Sequence, residues 1–205
     1  VSDAPSPPAP APAPRKKRAE GTTREAILKA ALELFSERGF HGTPVPLLAE
    51  KAGVATGSIY RHFESKEALA NALYQHWRNA QLNAWFGGFP VHLSERAQFH
   101  ELWRRMAAFY KANPLVFVWL EQHNHAAYLD EESLACTKRV LRPTTAFVKL
   151  AREKHLLKPL PAKLLVAIAD GIFMGMVRFA TAQHFELDEE VLDAAEQCCW
   201  EAMRK

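Results

Sequence analysis

The chain has 205 residues, 48% of them hydrophobic, enough for one large or two small domains with a genuine core. Its net charge of +3 is too small to mark a nucleic-acid binder by itself, and nine glycines with few β-branched runs argue against a sheet protein. Three cysteines, Cys136, Cys198 and Cys199, lie at no metal-ligand spacing and read as reduced, small apolar side chains of a cytoplasmic protein.

Residues 1–14 are almost entirely Pro, Ala and Ser, which offer nothing to bury, so a disordered or polyproline-like tail is expected. Arg15-Lys-Lys-Arg18 follows. It reads either as a solvated linker or as a basic arm that reaches phosphates or a minor groove. The N-terminus holds no apolar signal core. The most apolar window, 164–180, is interrupted by Asp170 and Arg178, which predicts a buried helix and no membrane span.

Thr22-Thr-Arg-Glu25 has capping-box spacing and opens a helix with Ile27, Leu28, Ala31, Leu34 and Phe35 on one face. Gly39 is placed for the left-handed residue that ends it, and Phe40 should then pack on Phe35. Thr43 can cap a second helix with Pro44 at its first position, although Pro46 disfavours helical geometry at Val45 and delays the start. Leu48, Ala49 and Ala52 form its inward face, and Gly53 allows a sharp turn with Val54 in the angle.

On the third helix Ile59 and Phe63 are four apart and face the core. Thr56, Gly57, Ser58, Tyr60, Arg61 and His62 are left outside, a face with no acid that suits a polyanion. Two short helices joined by a turn, the second offering such a face, have the layout of a helix-turn-helix. Ser65 reads as the next N-cap, which puts Lys66 at the positive end of a helix dipole. A phosphate gripped by Lys66 and the free amides accounts for it; the alternative is a solvated lysine.

The run from Thr22 to Leu69 resembles the DNA-binding domain of the tetracycline-repressor (TetR) family. The resemblance rests on the Ala49-Glu-Lys-Ala-Gly-Val54 turn, Gly57-Ser-Ile-Tyr60, and Tyr60-Arg-His-Phe63 followed by Ser65-Lys-Glu-Ala-Leu69. It implies a homodimeric regulator, usually a repressor, released from double-stranded operator DNA by a small molecule. Carried over by position, it implies that Thr43, Tyr60, His62 and Lys66 hold phosphates, while Thr56, Ser58 and Arg61 face base edges. Two positions depart from the family pattern. Pro46 stands where a polar or basic residue is common, and Ala55 where Ser or Thr often caps, so Thr56 is expected to cap instead.

The helix from Ser65 runs through Leu69, Leu73, Trp77 and Ala80 to a break at Gly87-Gly-Phe-Pro90. At about 1.5 Å per residue its roughly 20 residues span about 30 Å, enough to join a DNA-facing end to a second core. Ser94, Pro114 and Asp130 start further helices, and Pro143 should kink the third of them, opening a pocket wall. Pro161 starts a helix with Leu165, Ile168, Ile172, Met176 and Phe179 on one stripe and Gly171 and Gly175 on another face. Asp188 caps the last helix, and Leu187 and Leu192 have staple spacing. The resemblance implies that these last two helices pair with a partner's.

Trp103, Met106, Phe109, Tyr110, Phe117, Leu120, His123, Phe147, Phe173 and Met176 supply large, soft side chains for an apolar ligand cavity, though any one of them can equally be plain core. Tyr110, Glu121, His123 and Arg178 are the polar groups expected at its edge. Glu121 and His125 share a helix face, but a pair without a third ligand argues against a metal site. No cofactor is expected, and the chain carries neither a phosphate-binding glycine loop nor a nucleophile elbow, so no enzyme is expected.

The expected architecture is all-α: a tail with a basic arm at 1–21, a helix-turn-helix DNA-binding domain at 22–68, and a helical ligand-binding and dimerisation domain at 69–205. The expected function is a cytoplasmic, nucleoid-associated homodimeric regulator with an apolar or aromatic effector and no membrane partner. The rivals are a helical small-molecule carrier without DNA function, and an activator of the same family.

Overall fold

The computed structural model describes residues 20–124, 126–183 and 185–205; the expected tail and basic arm at 1–19, and His125, lie outside them. The described elements are α1 (Glu20–Arg38), α2 (Val45–Ala52), α3 (Thr56–His62), α4 (Lys66–Phe86), α5 (Glu95–Ala112), α6 (Pro114–Gln122), α7 (Glu131–Glu153), α8 (Ala162–Gln183) and α9 (Glu189–Met203). Among the described residues there is no strand, only one isolated bridge between Leu157 and Arg204.

The first three helices form a compact head in which α1 packs on α2 and α4, and α2 packs on α3. Ile27, Ala31, Leu34 and Phe35 of α1 are buried, as their spacing requires. The helix begins at Glu20, so the expected capping box at Thr22 is not formed: an N-cap must be non-helical, and Thr22 lies inside the first turn. Its C-terminus follows expectation. Gly39 has φ +71°, its amide reaches the Phe35 carbonyl at 3.0 Å, and the Phe35 and Phe40 rings lie 5.6 Å apart.

The start of α2 departs from expectation. Pro44, not Thr43, is the N-cap, and the helix starts at Val45 with Pro46 in its first turn. First-turn amides have no intrahelical acceptor, so the proline there forfeits no bond. Leu48, Ala49 and Ala52 are buried, and Gly53 turns the chain at φ +67°. Lys51 bonds Glu33 of α1 at 2.9 Å, which holds its ammonium above the usual lysine pKa.

From the head, α4 runs on into the body, where it packs on α5, α6 and α7. Ser65 caps it by accepting from the Ala68 amide at 3.1 Å. Helices α8 and α9 close the body against α7 and α5. Ser94, Asp130 and Asp188 cap α5, α7 and α9 through the amides of Ala97, Ser133 and Val191. Helix α7 passes through Pro143 without interruption. One hydrophobic core is continuous from Ile27 in the head to Met203 at the end of α9.

The apolar stripe of helix α8 is divided between core and surface. Leu165, Phe173, Met174, Val177 and Ala180 are buried, whereas Ile168, Ile172 and Met176 are half-buried and Phe179 is 61% exposed. A Cβ at Gly171 or Gly175 would meet open space, so nothing within the monomer requires either glycine.

Candidate DNA-reading head and ligand cavity

Helix α3 is held from beneath. Ile59 and Phe63 are buried, and the Arg24 guanidinium lies 5.4 Å from the centre of the Phe63 ring. That anchoring fixes which face is left over. Thr56, Gly57, Tyr60 and Arg61 are exposed, and Ser58 and His62 are half-buried. Tyr60 keeps 53% of its surface in solvent, an apolar ring that the monomer leaves uncovered. A Cβ at Gly57 would meet nothing within 4 Å, so no contact within the monomer requires glycine there.

The N-cap of α3 is Ala55, which offers no side-chain acceptor, and Thr56 is the first helical residue. The expectation that Thr56 caps is therefore corrected. An N-cap side chain acts from a non-helical position, and Thr56 is already helical. Its hydroxyl has no partner among the described residues.

Thr43 and Lys66 are placed differently from a phosphate-holding pair. Thr43 is fully buried, and its hydroxyl faces the carbonyls of Gly39 at 2.8 Å and Leu34 at 3.2 Å. It locks the α1–α2 turn and leaves no face for a phosphate. Thr43→Val should therefore lower stability by about 1–3 kcal/mol, because buried carbonyls lose their donor. Denaturant unfolding measures that loss, and the slope of DNA affinity against salt should stay as in the wild type. A shallower slope would return the hydroxyl to the phosphate.

Lys66 is half-buried and donates to the carbonyls of Phe40 at 2.9 Å and Thr43 at 3.3 Å, with its ammonium 4.3 Å from the Phe40 ring centre. The cation at a helix N-terminus thus has an internal explanation. Two of its three donors are committed, and one remains for a phosphate.

The head is bolted to the body at the same place. Phe40 stacks on Tyr128, ring centres 4.2 Å apart, in the loop between α6 and α7. Asn71 of α4 is buried and uses its whole amide. It donates to the Glu67 and Tyr128 carbonyls at 3.0 and 2.7 Å, and accepts from the Asp130 amide and Ser133 hydroxyl at 2.9 and 2.7 Å. Burial pushes the Tyr128 phenol up to about 12, with Tyr74 adding to it.

About two turns further, buried Arg78 donates to the Tyr74 hydroxyl, Gln81, Asn124 and the Leu120 carbonyl. All four acceptors are neutral. This is a buried guanidinium held by dipoles and not by a bonded carboxylate.

Beyond it, side chains of α4, α5, α7, α8 and α9 line a narrow apolar cavity of about 50 Å³. The space is a slot suited to a flat ring or a single chain. Of the residues expected there, Trp103, Met106 and Phe147 line it. Phe109, Phe117, Leu120 and Phe173 are buried core instead, with Phe173 5.1 Å from Trp103 and 5.7 Å from Phe117. Tyr110 and Met176 are half-buried outside the lining. His123 stacks on Trp119 at 4.9 Å and bonds its carbonyl at 2.8 Å through Nδ1, which commits that nitrogen.

Sequence reasoning missed Trp85, Phe99, Thr144, Ala169 and Asp170 as cavity residues. The usable signal was Asp170, an acid inside an otherwise apolar run. Burial pushes its carboxyl above the usual aspartate range, opposed by Arg78 and Arg178 nearby. Trp85 is buried, and its indole N–H has no acceptor.

A helix-turn-helix head, carried by one long helix into a helical body with an internal cavity, defines a DNA-binding transcriptional regulator. The chain belongs to the tetracycline-repressor family: residues 27–73 match "Bacterial regulatory proteins, tetR family" and residues 82–205 match "Tetracyclin repressor-like, C-terminal domain". The family consists of regulators and not enzymes.

The chain is 47% identical to the HTH-type transcriptional regulator RutR of Escherichia coli over 55 residues, 27% of this chain and 26% of that protein. That match spans about a quarter of either length. Over the whole fold, a TetR family regulator from Marinobacter aquaeolei VT8 superposes with a TM-score of 0.80 at 23% identity, over 91% of this chain and 97% of its own. The regulator FadR of Bacillus subtilis, solved with stearoyl-CoA, superposes with a TM-score of 0.67 at 16% identity, over 86% of this chain and 95% of its own.

Proposed function

We propose that the protein is a homodimeric repressor that leaves a pseudo-palindromic operator when a small apolar or aromatic molecule enters the slot between α4, α5, α7 and α8. The exposed, acid-free face of α3 carries the reading. Thr56, Ser58 and Arg61 are the candidates for base edges, and Tyr60, His62 and the free donor of Lys66 for phosphates. Gly57, without a side chain, lets the DNA backbone come close. Acting on DNA, the protein works in the cytoplasm.

Dimerisation is supported by α8. It is the one helix among the described residues long and apolar enough to cross a membrane, with a mean hydropathy of 1.7, yet only 28% of that stretch is buried in the monomer. Pairing with a second copy covers this face, and Gly171 and Gly175 then permit close helix approach. A two-fold dimer places two α3 helices one DNA turn apart, about 34 Å, so each reads one half-site. The cavity supports the effector, and FadR, whose structure holds stearoyl-CoA, shows a relative of the same fold with an apolar-chain ligand.

Selection of bound duplexes from a random pool tests the reading. The expected product is an inverted repeat whose binding falls steeply with salt, by about 10³-fold or more between 50 and 200 mM for six or more phosphate contacts. A monomeric site, or binding insensitive to salt, would overturn it.

A further inference from the structure

The slot carries one charged side chain. Its walls are Trp85, Phe99, Trp103, Met106 and Phe147 with aliphatic neighbours, and at one end stands Asp170 of α8. This carboxylate has no hydrogen bond or ion pair among the described residues. Arg78 and Arg178 lie within Coulomb range and oppose the larger effect of desolvation, which raises its pKa. Neither bonds it, and Arg78 is already committed to Tyr74, Gln81, Leu120 and Asn124. Asp170 is exposed, so its carboxylate stands in water at the mouth of the slot with no bonded cation, and an entering ligand meets that charge where the apolar walls begin. Aromatic faces are the second element that selects for positive charge, since the ring quadrupole attracts cations.

We propose that the effector is a lipophilic cation, a flat or slender apolar body bearing a protonated amine or quaternary nitrogen. Asp170 is its counter-ion, and the rings of the slot receive the rest. The narrow free space sets the shape, and the orphan Trp85 N–H offers one donor to an oxygen elsewhere on the ligand. This inference rests on the effector reading of the cavity.

The test uses the full chain and three probes of one shape: 2-naphthylmethylamine, 2-naphthylmethanol and 2-naphthoate. Calorimetric titration at pH 7.5 should find the amine bound at least about ten-fold more tightly than the alcohol, with the carboxylate weakest. Asp170→Asn should collapse that ratio to within about three-fold, and Asp170→Glu should keep the preference for the amine. Tighter binding of the carboxylate, or a ten-fold amine preference that survives Asp170→Asn, overturns the cation assignment. Equal binding of all three overturns it too, but leaves the effector cavity standing. If none binds at millimolar concentration, the cavity reading falls and the cation assignment with it.

Discussion

Arg61→Ala is expected to flatten the sequence preference of the protein at one position of each half-site. Arg61 is exposed on a helix whose inner face is fixed by Ile59 and Phe63, so its guanidinium is free to reach a base edge. A lost base contact costs about 1–3 kcal/mol, and a dimer loses it twice. The total, about 2–6 kcal/mol, is roughly 30-fold to beyond 10,000-fold in affinity for the operator. Tyr60→Ala should behave differently, weakening all duplexes alike, since a phosphate contact carries no sequence information. Both side chains are exposed, so folding stability should move by no more than about 0.5 kcal/mol. Repeating the duplex selection with each variant separates the roles. If Arg61→Ala keeps the wild-type motif and merely binds every duplex less well, Arg61 belongs to the backbone contacts.

The reading head was legible because its signals are local. Gly39 and Gly53 sit where only a left-handed residue ends the helix, Phe40 follows at packing distance from Phe35, and Ile59 and Phe63 fix one face by spacing alone. Spacing did not show the internal partners of Thr43 and Lys66. Each looks like a surface group by its position in a helix, and each is claimed by the α1–α2 turn, a contact between residues up to 26 apart. Spacing along one helix does not report what folds back over it. The cavity was legible only as a region, since soft aromatic side chains serve core and cavity equally. Trp103, Met106 and Phe147 line it while Phe117 and Phe173 pack behind, and what separates them is the direction of α5, α7 and α8. The α8 stripe was legible as apolar but not as to what covers it: Leu165 is buried and Phe179 is exposed, and spacing along one helix does not name its neighbours.

Asn71→Leu is expected to damage both stability and switching. Leucine fills the same volume and removes four hydrogen bonds, leaving the Tyr128 carbonyl, the Asp130 amide and the Ser133 hydroxyl to find other partners. Gln75 only donates to the Ser133 oxygen, at 3.2 Å, and offers its hydroxyl hydrogen no acceptor, but Asp130 is exposed, so water recovers part of the loss there. With about 1–3 kcal/mol for each stranded group, a net destabilisation of about 2–5 kcal/mol should appear in denaturant unfolding. The functional consequence follows from where these bonds sit. Helix α7 starts at Glu131 beside Asn71 and lines the slot further along with Leu141, Thr144, Phe147 and Val148. Under the proposed release mechanism, a ligand that moved this wall would move the start of α7, and Asn71 would hand the displacement to α4, which carries the head. Without the bolt, the slot should still take whichever naphthyl probe binds the wild type best. The loss of operator affinity at saturating probe should then shrink by about ten-fold or more, because coupling needs an element that both sites bias. Release that stays complete in Asn71→Leu would mean the signal travels by another route, through the α1–α6 contact that also joins head to body.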